Sequence, residues 1–214
     1  MDLASLFALA WPMLLKGTGY TLLFAVASMI FGLPLAGLVT LIRVLQVWGL
    51  SSLMALYVSV IRGTPLLVQI FIFYYGLPSV GIELSPITAG ILTLTLNVAA
   101  YMSETLRGSI NAVTQGQWQA GTSLGLTRDQ TLRYVVGPQA LRAAVPSLSN
   151  SLISLIKDTS LVSVIAVTEL MLATKELIST TFQPFPLYLA AAAIYWVLSL
   201  SFEQIQRWME KRVA

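Results

Sequence analysis

Five mostly apolar segments dominate the sequence and limit what the chain can fold into. They lie at about 18–42, 53–77, 86–106, 147–167 and 185–206. An α-helix needs about 20 apolar residues to cross the roughly 30 Å hydrocarbon core of a bilayer. The chain is 57% hydrophobic and only 10% charged, whereas soluble domains carry about 25% charged residues. The sequence therefore predicts an all-α integral membrane protein with five transmembrane helices.

Basic residues are unevenly distributed between the connections that join these segments. One side of the membrane receives Arg43, Arg107, Arg128, Arg133, Arg142, Arg207, Lys211 and Arg212. The other side receives only Lys16 and Lys175. Because Lys and Arg are enriched in cytoplasmic loops, we expect the N-terminus outside and the C-terminus in the cytoplasm. The net charge of +3 then reflects orientation, and no nucleic-acid partner is expected.

The chain is expected to form one domain over residues 1–214, since it shows no internal repeat or flexible linker. Its first 17 residues contain no basic region before an apolar stretch. No cleaved signal peptide is therefore expected.

Polar side chains recur along one face of the third and fourth segments. In the third segment they are Thr93, Asn97, Tyr101 and Glu104; in the fourth they are Ser147, Asn150, Ser151, Ser154, Lys157 and Asp158. A polar group facing lipid without a partner costs several kcal/mol, so both faces must contact protein or water. Ser, Thr and Asn also form hydrogen bonds between membrane helices, which is the structural alternative. Ionisable residues at membrane depth, however, usually indicate function.

Two short motifs predict interruptions within the membrane segments. Asp158-Thr159-Ser160 places three favourable N-cap residues in a row, which is compatible with a helix break near the middle of the bilayer; an unbroken helix is the alternative. Pro65, in Arg62-Gly63-Thr64-Pro65, predicts a kink in the second segment. Arg62 either serves a function or extends its side chain to the membrane interface.

Several chemistries are excluded by residues that the sequence lacks. Without Cys or His, the chain offers neither a thiol nucleophile nor the commonest metal ligand and general base. An intramembrane serine protease would need His, and an aspartyl type would need a pair of membrane Asp residues, of which only Asp158 qualifies. A channel or passive scaffold would share the polar faces but would not need the long basic connection at about 108–145. The sequence also lacks the phosphate-binding motif Gly-x-x-x-x-Gly-Lys-Ser/Thr, so any ATP would bind a partner.

The connection at 108–145 carries the most specific motif in the sequence. The motif consists of Gln119-Ala120-Gly121, Gly125, Val135 and Pro138. In this spacing it resembles the signature Glu-Ala-Ala, three residues, Gly, nine residues, Ile-x-Leu-Pro of permease subunits of bacterial ATP-binding-cassette importers. It departs from that signature at Gln119, Gly121 and Gly137, and Gly121 is expected to weaken a helix by about 1 kcal/mol relative to Ala.

Further motifs are similar to the branch of this family that transports polar amino acids. They are Arg62-Gly63-Thr64-Pro65, Asn97-Val98-Ala99-Ala100-Tyr101 and Ile156-Lys157-Asp158-Thr159-Ser160-Leu161. Tyr74-Tyr75-Gly76-Leu77-Pro78 and Gly116-Gln117-Trp118 most resemble cystine permeases. The alternative substrates within this branch are arginine, glutamine and histidine.

The resemblance implies a fold, a set of partners and a location. The fold is the MetI-like permease fold of type I ATP-binding-cassette importers, in the bacterial cytoplasmic (inner) membrane. The partners are a second permease subunit (a second copy or a paralogue), two ATPase subunits that hold ATP and Mg, and an external amino acid-binding protein. The chain itself would hold no cofactor or metal and would not be an enzyme.

The resemblance also implies two groups of functional residues. The ATPase would be contacted by Gln119, Ala120, Gly121, Gly125, Leu126 and Pro138. Together with the polar faces, it suggests a substrate path lined by Thr93, Asn97, Tyr101, Glu104, Ser154, Lys157, Asp158, Thr159 and Ser160. On this hypothesis Glu104 or Asp158 binds the substrate ammonium, and Asn97 or Ser160 binds its carboxylate.

Overall fold

All regular secondary structure is helical in the computed structural model, which describes residues 2–213. The α-helices are α1 (Leu3–Val44), α2 (Leu50–Gly63), α3 (Leu66–Phe71), α4 (Pro86–Ala112), α5 (Gln115–Ser123), α6 (Arg128–Thr131), α7 (Gly137–Asp158), α8 (Leu170–Thr181) and α9 (Pro184–Val213). π-helical turns at Ile72–Gly76 and Leu132–Val136 and 3₁₀ segments at Leu77–Val80 and Thr159–Ile165 join some of them. The side chain of Arg212, used above for the orientation, lies outside the described part.

Helix α4 lies at the centre of the bundle. It packs against α1, α2 and α7, while α1 also contacts α8 and α7 contacts α9. Apolar side chains from several of these helices and from α3, including Phe24, Ile70, Leu94 and Ile156, form the main buried cluster. A Cβ atom at Gly32 would lie only 2.6 Å from Cγ1 of Val98, so the glycine allows the close approach of α1 and α4.

Three helices of the described part are long and apolar enough to cross a membrane: Leu3–Val44, Pro86–Ala112 and Pro184–Trp208. A fourth span results if α2 and the Leu66–Val80 stretch are counted together. The predicted span 147–167 falls in α7 and the 3₁₀ segment that follows it. Its polar side chains keep α7 from qualifying by composition, although its 22 residues would rise about 33 Å.

The boundaries of two predicted segments differ from the structure. Helix α1 begins at Leu3 and not near residue 18, because the Asp2 side chain caps it by accepting the Ser5 N–H at 3.0 Å. Helix α7 begins at Gly137 and passes through Pro146, so its first turns belong to the predicted connection. Pro138 closely follows the π-helical turn Leu132–Val136 and has no N–H to donate to it.

The structure also corrects the predicted shape of the second span. The sequence predicted one kinked helix over 53–77, whereas the structure has two helical pieces bent by 109°. Thr64 adopts an extended conformation between them (φ −121°, ψ 147°). A residue that precedes proline is driven away from the helical region by the proline ring, which explains why the helix stops at Gly63.

The predicted break in the fourth segment is confirmed, because α7 ends at Asp158 and a 3₁₀ segment follows. Its cause differs from N-capping, however. The hydroxyl of Thr159 donates to the carbonyl of Ile156, and that of Ser160 donates to the carbonyl of Lys157, both at 2.7 Å. The hydroxyls therefore bond the end of α7 and do not cap a new helix.

Candidate functional site

A buried glutamine bridges the break between α2 and α3. Pro65 lacks the N–H that would donate to the carbonyl of Ile61 in a continuous helix. The side-chain amide of Gln69, a residue only 4% exposed, donates to that carbonyl at 2.7 Å and to the carbonyl of Thr64 at 3.1 Å. Because a buried polar group without a partner costs about 1–3 kcal/mol, Gln69 stabilises the bend.

The same glutamine connects the break to the central helix. Its Oε1 accepts the side-chain N–H of Asn97 on α4 at 3.0 Å. The hydroxyl of Tyr57 on α2 donates to the carbonyl of Leu96, also on α4, at 2.6 Å. These two bonds fix the position of the break relative to α4.

A polar cleft of about 430 Å³ opens beside this break. Its walls come from the break itself, from α4 and from α7. The lining residues are Thr64, Pro65, Leu66, Asn97, Val98, Tyr101, Ser147, Asn150, Ser151, Ser154, Leu155 and Asp158. The volume falls within the range of about 300–1,000 Å³ for sites that hold small molecules.

The cleft brings together four of the nine residues suggested for the substrate path. They are Asn97, Tyr101, Ser154 and Asp158. Thr93 does not line it, because it is fully buried and donates to the carbonyl of Ala89 at 2.7 Å.

The remaining suggested path residues lie at other places around the end of α7 and on α4. Thr159 is fully buried, while Lys157 is exposed on α7 and lies outside the cleft lining. Ser160 and Glu104 are also absent from that lining. Substrate contact at all nine positions stays a prediction.

Glu104 is surrounded by three guanidinium groups. Arg107, one turn further along α4, donates two hydrogen bonds to its carboxylate, at 2.8 and 3.2 Å. Arg43 of α1 also forms a salt bridge with it, and Nη1 of Arg62 lies 3.7 Å from its Oε2. Arg62 additionally sits over the ring of Tyr101, 5.3 Å from the ring centroid. The Glu104 charge is therefore already compensated within the chain.

Asp158 has the opposite environment. Across residues 2–213 it forms no salt bridge, and its neighbour in the sequence, Lys157, is exposed on α7. A carboxylate inside a membrane protein needs a cation or hydrogen-bond donors. The cleft therefore presents one carboxylate whose partner is not supplied by the described chain.

The predicted docking connection folds into two short helices packed on each other. A Cβ atom at Gly121 of α5 would lie 2.5 Å from Cγ2 of Thr131, so glycine permits this packing and does not merely weaken the helix. Gly125 has a φ of 78°, a left-handed conformation that glycine adopts without strain. Thr127 and Gln130 then form a capping box at the start of α6.

The predicted ATPase-contact residues lie mostly at the surface of this hairpin. Gln119, Ala120, Gly125 and Pro138 are exposed, Leu126 is half-buried and Gly121 is buried. The adjacent Leu124 is 79% exposed.

Sequence reasoning missed Gln69 and the role of Arg43. Gln69 is the polar residue within the apolar run Leu66–Phe71, four positions after Pro65. That spacing could have identified it, because a helical residue at i+4 lies beside the carbonyls left without a donor. Nothing in the sequence pattern pairs Arg43 with Glu104, since the contact joins residues 61 positions apart.

A polar cleft between a broken helix and two long helices, with a folded hairpin at their basic end, is the kind of site found in membrane transport proteins. Comparison with known proteins gives the family. Residues 32–214 match the binding-protein-dependent transport system inner membrane component, and the chain belongs to that family. It is the permease subunit of an amino acid importer of the ATP-binding-cassette type and is not an enzyme.

Individual relatives align in sequence with nearly the whole chain. The L-cystine transport system permease protein TcyB of Bacillus subtilis is 43% identical and aligns with 95% of this chain and 87% of its own length. The glutamine transport system permease protein GlnP of Escherichia coli is 36% identical, with 95% and 94% covered.

Solved structures share the fold. The crystal structure of an amino acid ABC transporter with histidines matches with a TM-score of 0.93 at 33% identity and covers 99% of both chains. An inward-facing structure of the MetNI methionine transporter matches with a TM-score of 0.77 at 19% identity, covering 94% of this chain and 96% of that one. The MetI-like fold is therefore confirmed.

Replacing Gln69 by leucine should destabilise the protein by about 2 kcal/mol or more, because the Ile61 carbonyl and the Asn97 amide both lose a buried partner. Thermal unfolding in detergent measures this effect. Gln139→Leu is the control, since Gln139 is exposed and its loss should change stability by no more than about 0.5 kcal/mol. Equal melting temperatures for the two variants would contradict the role of Gln69.

Proposed function

We propose that this permease forms the membrane path for L-cystine in an ATP-driven importer. The observation that carries the proposal is the cleft between the α2–α3 break, α4 and α7, with Asp158 on its wall and without a salt bridge in the described chain. The cystine assignment is supported by the 43% identity to an L-cystine permease and by the motifs at 74–78 and 116–118. Another polar amino acid is the alternative, supported by the similarity to a glutamine permease.

The proposed topology has five spans in one domain of residues 1–214. They are α1, the bent α2–α3 unit, α4, α7 with its 3₁₀ extension, and α9. Including α7 is reasonable because its polar face lines the cleft and does not face lipid. The cluster of Arg43, Arg62 and Arg107 around Glu104 supports a cytoplasmic location for this end. The N-terminus is then outside the bacterial inner membrane and the C-terminus is in the cytoplasm.

Within the cleft, Asp158 is favoured over Glu104 as the partner of a substrate ammonium. The Glu104 carboxylate already accepts hydrogen bonds from a guanidinium group, so its negative charge is compensated and would attract a substrate ammonium only weakly. For the substrate carboxylate, Asn97 and Ser160 are less suitable than the sequence suggested, because the Asn97 amide donates to Gln69 and the Ser160 hydroxyl to Lys157. Tyr101 and Asn150 line the cleft and supply donors there.

The proposed partners are those that an ATP-driven importer needs. The chain would pair with a second permease subunit, either a second copy or a paralogue, and with two ATPase subunits that hold ATP and Mg. An external binding protein would deliver the amino acid. The exposed side of the α5–α6 hairpin, around Gln119 and Ala120, would seat on the ATPase and carry its closure into the membrane helices.

The transport assay is uptake of radiolabelled L-cystine into vesicles that contain the reconstituted complex, with ATP inside and the cognate binding protein outside. We expect ATP-dependent uptake that unlabelled cystine blocks and that arginine, glutamine and histidine do not. ATP-dependent uptake of one of the other amino acids would replace the cystine assignment. Uptake that needs no ATP would contradict the importer mechanism.

Asp158→Asn should reduce uptake at least about tenfold, the loss expected when a charge-assisted contact worth about 1.5–3 kcal/mol is removed. Glu104→Gln should act differently, by lowering the stability of the complex, because it leaves three arginines uncompensated. Glu176→Gln, at an exposed position on α8, is the matched control and should transport normally. Full uptake by a stable Asp158→Asn complex would exclude Asp158 from the path.

Ala120→Trp should leave the permease folded but weaken its docking to the ATPase, because Ala120 is exposed on α5 and a large side chain would separate the surfaces. Co-purification of the ATPase and substrate-stimulated ATP hydrolysis should both fall several-fold. Ala4→Trp makes the same change at the exposed start of α1 and should alter neither. Normal hydrolysis by the Ala120→Trp complex would show that α5 does not couple.

A further inference from the structure

A second polar cleft, of about 630 Å³, opens where the C-terminal ends of α1 and α4 meet α5. Three arginines line it: Arg43, Arg107 and Arg128. The other polar lining residues are Gln46, Asn111, Gln115, Trp118 and Gln119. Among the lining residues there is no carboxylate. It is separate from the cleft that contains Asp158, with which it shares no lining residue.

The positive charge in this cleft is only partly compensated. Glu104 forms salt bridges with Arg43 and Arg107 and lies near Arg62 as well. Arg128 is exposed and its side chain donates to a backbone carbonyl, that of Val44, at 3.4 Å. One carboxylate thus serves several guanidiniums, so this cleft carries a net positive charge. Guanidinium groups match the geometry of phosphate oxygens especially well.

An apolar groove of about 430 Å³ adjoins this cleft and shares Ile110 with it. The groove runs along α1, α4 and the start of α7, and its lining includes Gly37, Leu41, Leu45 and Leu141. Leu41 and Leu141 are 47% and 57% exposed, so the groove is open at its side. Asp129 and Arg133 also line the groove. Their charges are opposite, so together they give the groove no net charge.

We propose that the cationic cleft and the apolar groove together bind one anionic phospholipid, with its phosphate at Arg128, Arg107 and Arg43 and an acyl chain along the groove. A soluble anion would use the arginines but not the groove, and a zwitterionic lipid would use the groove but carries no net charge for the arginines. An anionic phospholipid meets both requirements, because it carries a net negative charge for the arginines and an acyl chain for the groove. Basic pockets between membrane helices are known to suit lipid headgroups.

Two tryptophans support a location at headgroup depth. Trp48, in the connection that follows α1, is 97% exposed, and Trp118 lines the cleft itself. Tryptophan is enriched at the boundary between the hydrocarbon core and water. Because Trp118 and Gln119 belong to α5, a bound lipid would brace that helix against the ends of α1 and α4.

Lipid retention by the purified chain in detergent tests this site without any requirement for transport. The probes are dioleoyl phosphatidylglycerol and dioleoyl phosphatidylcholine, counted on the protein by native mass spectrometry. We expect preferential retention of phosphatidylglycerol. Arg128→Gln should reduce it about fivefold, the effect of one basic residue at an anionic lipid surface. Arg142→Gln removes the same charge from an exposed site on α7 outside both cavities and should leave retention unchanged.

The groove is tested separately with Gly37→Leu. A Cβ atom at Gly37 meets nothing within 4 Å and Gly37 lines the groove, so a leucine side chain there should occupy the groove and displace the lipid. Gly19→Leu has equal space on the same helix and is the control. Glycerophosphoglycerol, the headgroup without acyl chains, should compete poorly with the lipid.

Three results would overturn the proposal. Equal retention of the two lipids would show that the arginines do not select charge. Efficient competition by glycerophosphoglycerol would assign the cleft to a soluble phosphate ester. If Arg128→Gln keeps phosphatidylglycerol but loses co-purification with the ATPase, the cleft is a protein contact and not a lipid site.

Discussion

The side chain of Gln69 is the interaction on which the rest of the site depends. Pro65 removes one helical hydrogen bond, and the chain bends by 109° at this point, which leaves the carbonyls of Ile61 and Thr64 in need of a donor. Gln69 donates to those carbonyls and accepts from Asn97, so one buried amide satisfies the broken helix and attaches it to α4. Without this bridge the bend would need water or a different packing. With it, the break becomes one wall of a polar cleft inside a membrane bundle.

Charge compensation separates two acidic residues that look equivalent in the sequence. Glu104 and Asp158 both lie within apolar segments, and each was a candidate for the substrate ammonium. Arginines from α1, α2 and α4 converge on Glu104, which makes it a joint between three helices at their basic end. Asp158 lies on the cleft wall and receives no salt bridge from the described chain. Environment, and not residue type, therefore distinguishes a structural role from an available binding group.

Local physics explains what could be predicted from the sequence. Helical class and the start of α4 at Pro86 follow from hydropathy and proline placement, and the break after Asp158 coincides with a cluster of capping residues. The size of the bend at Pro65 could not be predicted, because it depends on how the broken helix packs against α4, through contacts such as Asn97–Gln69 that join residues 28 positions apart. The packing role of Gly121 could not be predicted either. The sequence indicates only a residue that weakens a helix, whereas in the structure Thr131 packs against it. The Arg43–Glu104 pair likewise required the tertiary structure.

Water access to the cleft tests the central claim, that a polar path lies between the α2–α3 break, α4 and α7. Because the sequence contains no cysteine, single cysteines can be introduced and their reaction with a charged, water-soluble thiol reagent measured in reconstituted membranes. Ser154→Cys, on the cleft wall, should react rapidly and at a rate that changes during ATP turnover. Leu38→Cys, on the exposed apolar side of α1, should react slowly throughout. If Ser154→Cys reacts as slowly as Leu38→Cys, the cleft is closed to water and the account is wrong.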